Sequence, residues 1–146
     1  MVPANCSSIT LRKVTDSDSD IQMLFELLKQ RQFGISHVGT LSFEQHREFV
    51  LSHPYRAWYF VQELDACIGS VYLLDSNHIG INMLAGKAHG IEPAIALLRD
   101  LYEPLPPIAS VRSAGYVVNV APEDLDQINA LRRAGGRLIQ HTYKLS

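Results

Sequence analysis

Between Asp75 and Ile91 the chain carries its densest run of residues suited to chemistry: Asp75-Ser-Asn77-His78, Ile79-Gly-Ile-Asn82-Met83-Leu84, then Ala85-Gly86-Lys87-Ala88-His89-Gly90-Ile91. His78 stands beside a carboxylate and an amide, Asp75 and Asn77, where a turn opens an apolar strand. A histidine there can take up a proton near neutral pH, and it equally suits a surface turn. Gly86, Ala88 and Gly90 have little or no side chain, so the main chain is open to close approach. A helix beginning at Ile91 would offer free N–H groups and a positive dipole end to an anion. Consecutive N–H groups of a tight loop add a nest, with Lys87 and His89 as extra charge. The same small residues also suit a plain strand-to-helix connection.

Tyr116 and Asn119 lie on a later strand-like run and would face opposite ways if it is regular. His37 sits in a loop where simple polarity explains it equally well. His46 and His53 fall on a helix or at its end and read as structural or surface groups. No histidines and carboxylates share a metal-ligand spacing, so no metal is expected. A Gly-x-Ser-x-Gly elbow is absent from the sequence.

The elements that must position these residues follow from periodicity. Residues 9–14 alternate as a strand. Residues 15–20 are a run of Thr, Asp and Ser with helix-capping chemistry. Ile21, Leu24, Phe25 and Leu28 then make one helical stripe. Residues 33–40 read as a loop. Ser42 with Gln45 forms a capping box for a helix to about residue 52, stopped by Pro54. Strands are expected at 56–63, 67–74 and 78–84, joined by the short links Leu64-Asp-Ala and Asp75-Ser-Asn. A helix starts near Ile91 with Pro93 in its first turn and ends at Glu103-Pro-Leu-Pro-Pro. A strand at 111–120, a short helix closed by Gly135-Gly136 and a last strand at 138–145 complete the order β α α β β β α β α β. This implies the α/β class, of α+β type, with a mixed, mainly antiparallel sheet and helices on both faces.

The 146 residues suit one domain spanning 1–146. With 47% hydrophobic and 19% charged residues and a net charge of −2, the chain reads as neither disordered nor a general nucleic-acid binder. Cys6 and Cys67 have no Cys-x-x-Cys spacing and read as free thiols of a reducing compartment. Met1 to Ser8 lack the basic and apolar regions of a signal peptide. No apolar run approaches the ~20 residues of a membrane span. The expectation is a cytoplasmic protein without membrane or nucleic-acid partners.

The element order, with a glycine-containing loop between the fourth strand and the third helix, resembles the GNAT N-acetyltransferase superfamily over nearly the whole chain. His78-Ile-Gly-Ile-Asn-Met-Leu-Ala-Gly-Lys-Ala-His-Gly-Ile-Glu-Pro-Ala-Ile is similar to the family's strand, pyrophosphate loop and helix start. Val118-Asn-Val-Ala-Pro-Glu-Asp-Leu-Asp-Gln-Ile-Asn-Ala-Leu-Arg-Arg-Ala-Gly-Gly is similar to its last crossover helix. Against the loop pattern Gln/Arg-x-x-Gly-x-Gly/Ala stand Ala85, Ala88 and Gly90, of which only Gly90 fits fully. Asp124 replaces the usual Asn, Leu131 the Tyr that often serves as general acid, and Gly136 the usual Phe.

The resemblance implies an acetyl-CoA-dependent N-acetyltransferase, with acetyl-CoA as cosubstrate and no metal. It implies that Gly86, Lys87, Ala88, His89, Gly90 and Ile91 hold the pyrophosphate. The main chain of Asn82, Met83 and Leu84 would pair with the pantetheine arm, with Asn119 nearby. His78 would be the base and Tyr116 the acid, and His37, Asp75 and Asn77 would line the acceptor side. Ser36-His-Val-Gly-Thr, His53-Pro-Tyr-Arg-Ala-Trp-Tyr and Ile68-Gly-Ser-Val-Tyr are similar to members that acetylate amino-sugars on nucleotide carriers for surface polysaccharide. The implied acceptor is thus a small amine of that kind, and a homodimer is also compatible with the family. Ala85 and Leu131 fit a rival: a non-catalytic GNAT-like module that binds an acyl-CoA or a protein partner. An open gap between the fourth and fifth strands would favour ligand binding, and a plugged one a fold reused for structure.

Overall fold

Three runs of β-branched and aromatic residues in the middle of the chain build the antiparallel heart of the molecule. The computed structural model describes residues 8–31 and 42–146. Strand β1 (Ile9–Lys13) is followed by helices α1 (Asp18–Lys29) and α2 (Phe43–Ser52). Strands β2 (Ala57–Glu63), β3 (Ala66–Leu73) and β4 (His78–Met83) come next. A single 3-10 turn (Ala88–Gly90) then leads into α3 (Ile91–Leu101), and β5 (Val117–Val118) and α4 (Leu125–Arg133) follow. The sheet order is β1-β2-β3-β4-β5, antiparallel from β1 to β4, with β5 parallel to β4.

Side-chain alternation divides the sheet into two apolar faces. Trp58 and Phe60 pack with Ile21, Leu24, Leu27 and Val50, so α1 and α2 cover one face. Ile9, Val61, Ile68 and Val71 pack with Ala94 on the other, under α3. Ala57, Leu73, Ile79 and Leu98 extend that second layer towards β5. Local capping agrees with the sequence. The Ser17 hydroxyl accepts from the Asp20 main-chain N–H at 3.2 Å, and the Ser42–Gln45 capping box forms in both directions. On the α1/α2 face, Tyr72 lies over Gly80, where a Cβ would sit 1.9 Å from its ring. Tyr72 in turn stacks on Tyr55 at 4.0 Å between ring centroids.

Two expected strands differ. The run 111–120 contributes only Val117–Val118, because Ile108 and Arg112 bridge each other in a turn just before it. The expected strand 138–145 does not form. Leu138, Ile139, Tyr143 and Leu145 are 69%, 67%, 81% and 91% exposed. A two-residue β5 is too short an edge to dock an eight-residue strand. Among the described residues no helix is long and apolar enough to cross a membrane.

Candidate functional site: the cleft between β4 and β5

The two strands that frame the site touch only at their beginnings. His78 pairs with Val117 and Ile79 with Val118, and there β5 ends while β4 runs on to Met83. Asn77 sets this junction. It is fully buried at a φ of 68°, and its carbonyl accepts from the Val117 N–H at 3.0 Å. Its amide donates to the Leu105 and Ser113 carbonyls (2.9 and 3.0 Å) and accepts from the Leu105 N–H (2.9 Å). Asn77 therefore clamps the segment before β5, with its amide hydrogens engaged by protein.

Past Ile79, β4 presents a bare main-chain edge. Leu84 N–H donates to Ile68, and Leu74 N–H to His78, so the even-numbered residues of β4 address β3. The odd-numbered residues address the other side. Ile81 and Met83 thus point their N–H and C=O groups into the gap. Of Asn82, Met83 and Leu84, expected to present open main chain, only Met83 does so by register, together with Ile81, while Asn82 and Leu84 serve the β3 ladder. The Asn82 side chain turns to the α1/α2 face, 3.4 Å from the Leu27 carbonyl.

The gap opens into a cleft of roughly 600 Å³, solvent-open space included, bounded by Ile81–Leu84, Ala85, Gly86, Ala88 and Ile91 on one side. Ala121, Asp124, Asp126 and Gln127 form the other wall, and Arg31 reaches in from the end of α1. At its foot Gly86 takes a φ of 76°, with nothing within 4 Å of where a Cβ would stand. Lys87 and Gly90 donate their N–H groups to Leu84 and Lys87 carbonyls. Those of Gly86, Ala88 and His89 make no main-chain hydrogen bond.

The charged side chains of this loop point elsewhere. His89 Nε2 lies 2.6 Å and Lys87 Nζ 3.4 Å from the Glu63 carboxylate at the end of β2. The His89 bond, with Lys87 behind it, holds the Glu63 carboxyl below the usual range. Neither side chain lines the cleft, so the loop presents main chain there. Gly90 is buried, its would-be Cβ 2.9 Å from Ile68 and Met83 side chains, so it serves the packing of α3 on the sheet.

The proton-handling candidates are not gathered in the cleft. His78 sits at the paired start of β4 with Nδ1 2.8 Å from the Ser76 hydroxyl. Tyr116 belongs to the α3 layer, and its hydroxyl donates to the Tyr102 carbonyl at 2.9 Å. Burial raises its phenol. Beside it, burial and the 2.8 Å hydroxyl contact with Tyr102 push Tyr59 up to about 12. Asp75 and Asn119 are exposed, and Asp75 offers its carbonyl to Arg112. His37 and Cys6 lie outside the described residues. Burial raises the thiol of half-buried Cys67.

Sequence reasoning passed over Arg31, Ile81 and Gln127. The usable signal was at Gln127, a polar residue three positions before Ala130 and four before Leu131, on the inward stripe of α4. It is 8% exposed, and its Nε2 has no hydrogen-bond partner.

No family model matches this sequence, and no curated protein does. Solved structures share its fold. A possible acetyltransferase from Clostridium difficile 630 superposes with a TM-score of 0.59 at 9% identity, over 94% of this chain and 97% of that one. An aminoglycoside acetyltransferase from an uncultured soil metagenomic sample, in complex with sisomicin, gives 0.59 at 10% identity over the same shares. A domain from Methanocaldococcus jannaschii DSM 2661 gives 0.56 at 16% identity, over 87% of this chain and 86% of that one. The fold is GNAT-like: a mixed, mainly antiparallel α/β sheet with helices on both faces.

Proposed function

We propose that the protein binds acetyl-CoA between β4 and β5 and transfers the acetyl group to a small primary amine. The observation that carries this reading is the bare edge of Ile81 and Met83 above a loop with open N–H groups. An extended amide-bearing arm can pair with that edge as an added strand. A diphosphate can rest on the loop and the start of α3. The residues present fit such a ligand, since Gly86 leaves the approach clear. The amine nitrogen bonds to the acetyl carbon, the carbon–sulfur bond breaks, and CoA leaves as the thiol once the amine proton is passed on. A main-chain N–H of the β4 edge stabilises the oxyanion. His78, on the same sheet face as Gly80 and Asn82, is the base we assign. For the acceptor we propose an amino-sugar, a reading supported by an aminoglycoside acetyltransferase among the structural neighbours; its nucleotide-linked form rests on the sequence resemblance alone.

A second reading, a non-catalytic acyl-CoA-binding module, is favoured by Leu131 and by the engagement of the Tyr116 hydroxyl with Tyr102. Titration calorimetry with acetyl-CoA and CoA, followed by a thiol-release assay over a panel of amino-sugars, separates the two. Binding with amine-dependent thiol release supports the transferase. Binding without release for any amine supports the module, and no binding at millimolar ligand overturns both. In a transferase, His78→Gln is expected to lower turnover about a hundredfold while leaving the acetyl-CoA affinity unchanged.

A further inference from the structure

We infer that the Gln127 carboxamide contacts the ligand, donating from Nε2 to an amide carbonyl of the pantetheine arm; this rests on the acetyl-CoA reading above. Gln127 lines the cleft from the first turn of α4, opposite the Ile81–Met83 edge. Its backbone is fixed, because its N–H donates to the Asp124 side chain at 3.2 Å. Its side chain is not satisfied: the residue is 8% exposed, and Nε2 is buried without a partner.

A buried amide donor left unpaired is destabilising, and native proteins rarely keep one without a reason. The neighbouring packing is apolar: Ile91, Ile95 and Ala130 form one cluster with Ile81, Met83 and Leu131 around it. A hydrophobic residue would suit that setting better. The terminal amide torsion is broad, so a modest rotation turns Nε2 towards the cleft without moving α4. Asp124 and Asp126 on the same wall select the acceptor. They repel a phosphate, whereas the neutral carbonyl of a secondary amide meets no such opposition. The nucleotide end of the ligand then belongs at the open N–H groups of the loop, and the arm at Gln127.

The test compares wild type with Gln127→Met, an unbranched apolar replacement of similar length, and with Gln127→Leu as a second variant. Two ligands are titrated: acetyl-CoA, and the adenosine bisphosphate that forms the nucleotide end of CoA without the arm. Both variants are expected to bind acetyl-CoA about tenfold more weakly and to treat the bisphosphate as wild type does. Without ligand they are expected to melt a few degrees higher, since an orphaned amide has been removed. Opposite signs on stability and affinity mark a ligand contact, which a merely structural glutamine would not produce. Unchanged acetyl-CoA affinity, or equal weakening of both ligands, overturns the inference while the acetyl-CoA reading stands. Failure of the wild type to bind acetyl-CoA overturns that reading first, and this assignment with it.

Discussion

Asp20 closes the turn between β1 and α1 with one carboxylate. It accepts from the two terminal guanidinium nitrogens of Arg12 at 3.2 and 2.9 Å, and from the Thr15 N–H and hydroxyl at 2.9 and 2.7 Å. Burial alone would raise its carboxyl, but the Arg12 and Thr15 bonds outweigh it and hold the group below the usual carboxylate range. A lowered folded value gives stability that is complete above the unfolded value, near 4, and is lost as pH falls through the folded one. Asp20→Asn is therefore expected to cost about 2 kcal/mol at neutral pH. Its deficit against wild type should shrink as the medium becomes strongly acidic. Urea titrations across pH read both effects, and a pH-independent deficit would count against the ion pair. Gly80→Ala belongs to the same scale, because its methyl would strike the Tyr72 ring. A Tm drop of several degrees is expected, from overpacking. Residue identity showed where polar chemistry gathers around Asp75–His78. It did not show that Asn77 is bound to residues about thirty positions later, since such partners are set by tertiary contact.

Helices and the central strands were legible as elements because each carries its own signal. The Ser42–Gln45 box and Pro93 in the first turn of α3 lie where capping places them, whereas the buried stripe of α1 runs through Ile21, Leu24 and Leu27, with Leu28 half-buried beside it. The last two strands were not legible, because an edge strand needs a partner of sufficient length and no local pattern reveals the partner. The cleft itself is a consequence of pairing that stops early, and the Asn77 clamp holds the place where that pairing starts. Asn77→Ala would leave the Leu105 N–H and the Leu105 and Ser113 carbonyls without this partner. The expected cost is about 3 kcal/mol, read by chemical denaturation. Acetyl-CoA affinity is expected to fall as well, because β5 and the far wall of the cleft are positioned from that clamp. Normal stability in this variant would show that the loop is held by other contacts.

The molecule as a whole carries a tail that its core does not use. Residues 135–146 are exposed throughout, and Leu138, Ile139, Tyr143 and Leu145 among them are large and apolar. Burying one such side chain is worth about 1.5–3 kcal/mol, so a tail that packed against the sheet would contribute a large share of the stability. Left in solvent it contributes almost none. Ile139, His141, Tyr143 and Leu145 recur at every second position and would share one face if the segment became extended, a pattern that invites pairing with another chain. Removal of residues 137–146 is therefore expected to shift Tm by no more than about a degree and to leave acetyl-CoA affinity unchanged. The same truncation is expected to lower any concentration-dependent self-association seen by light scattering. A fall in Tm of several degrees in dilute protein would mean instead that the tail folds onto its own sheet. A fall that appears only at high protein concentration would place its partner on a second copy of the chain.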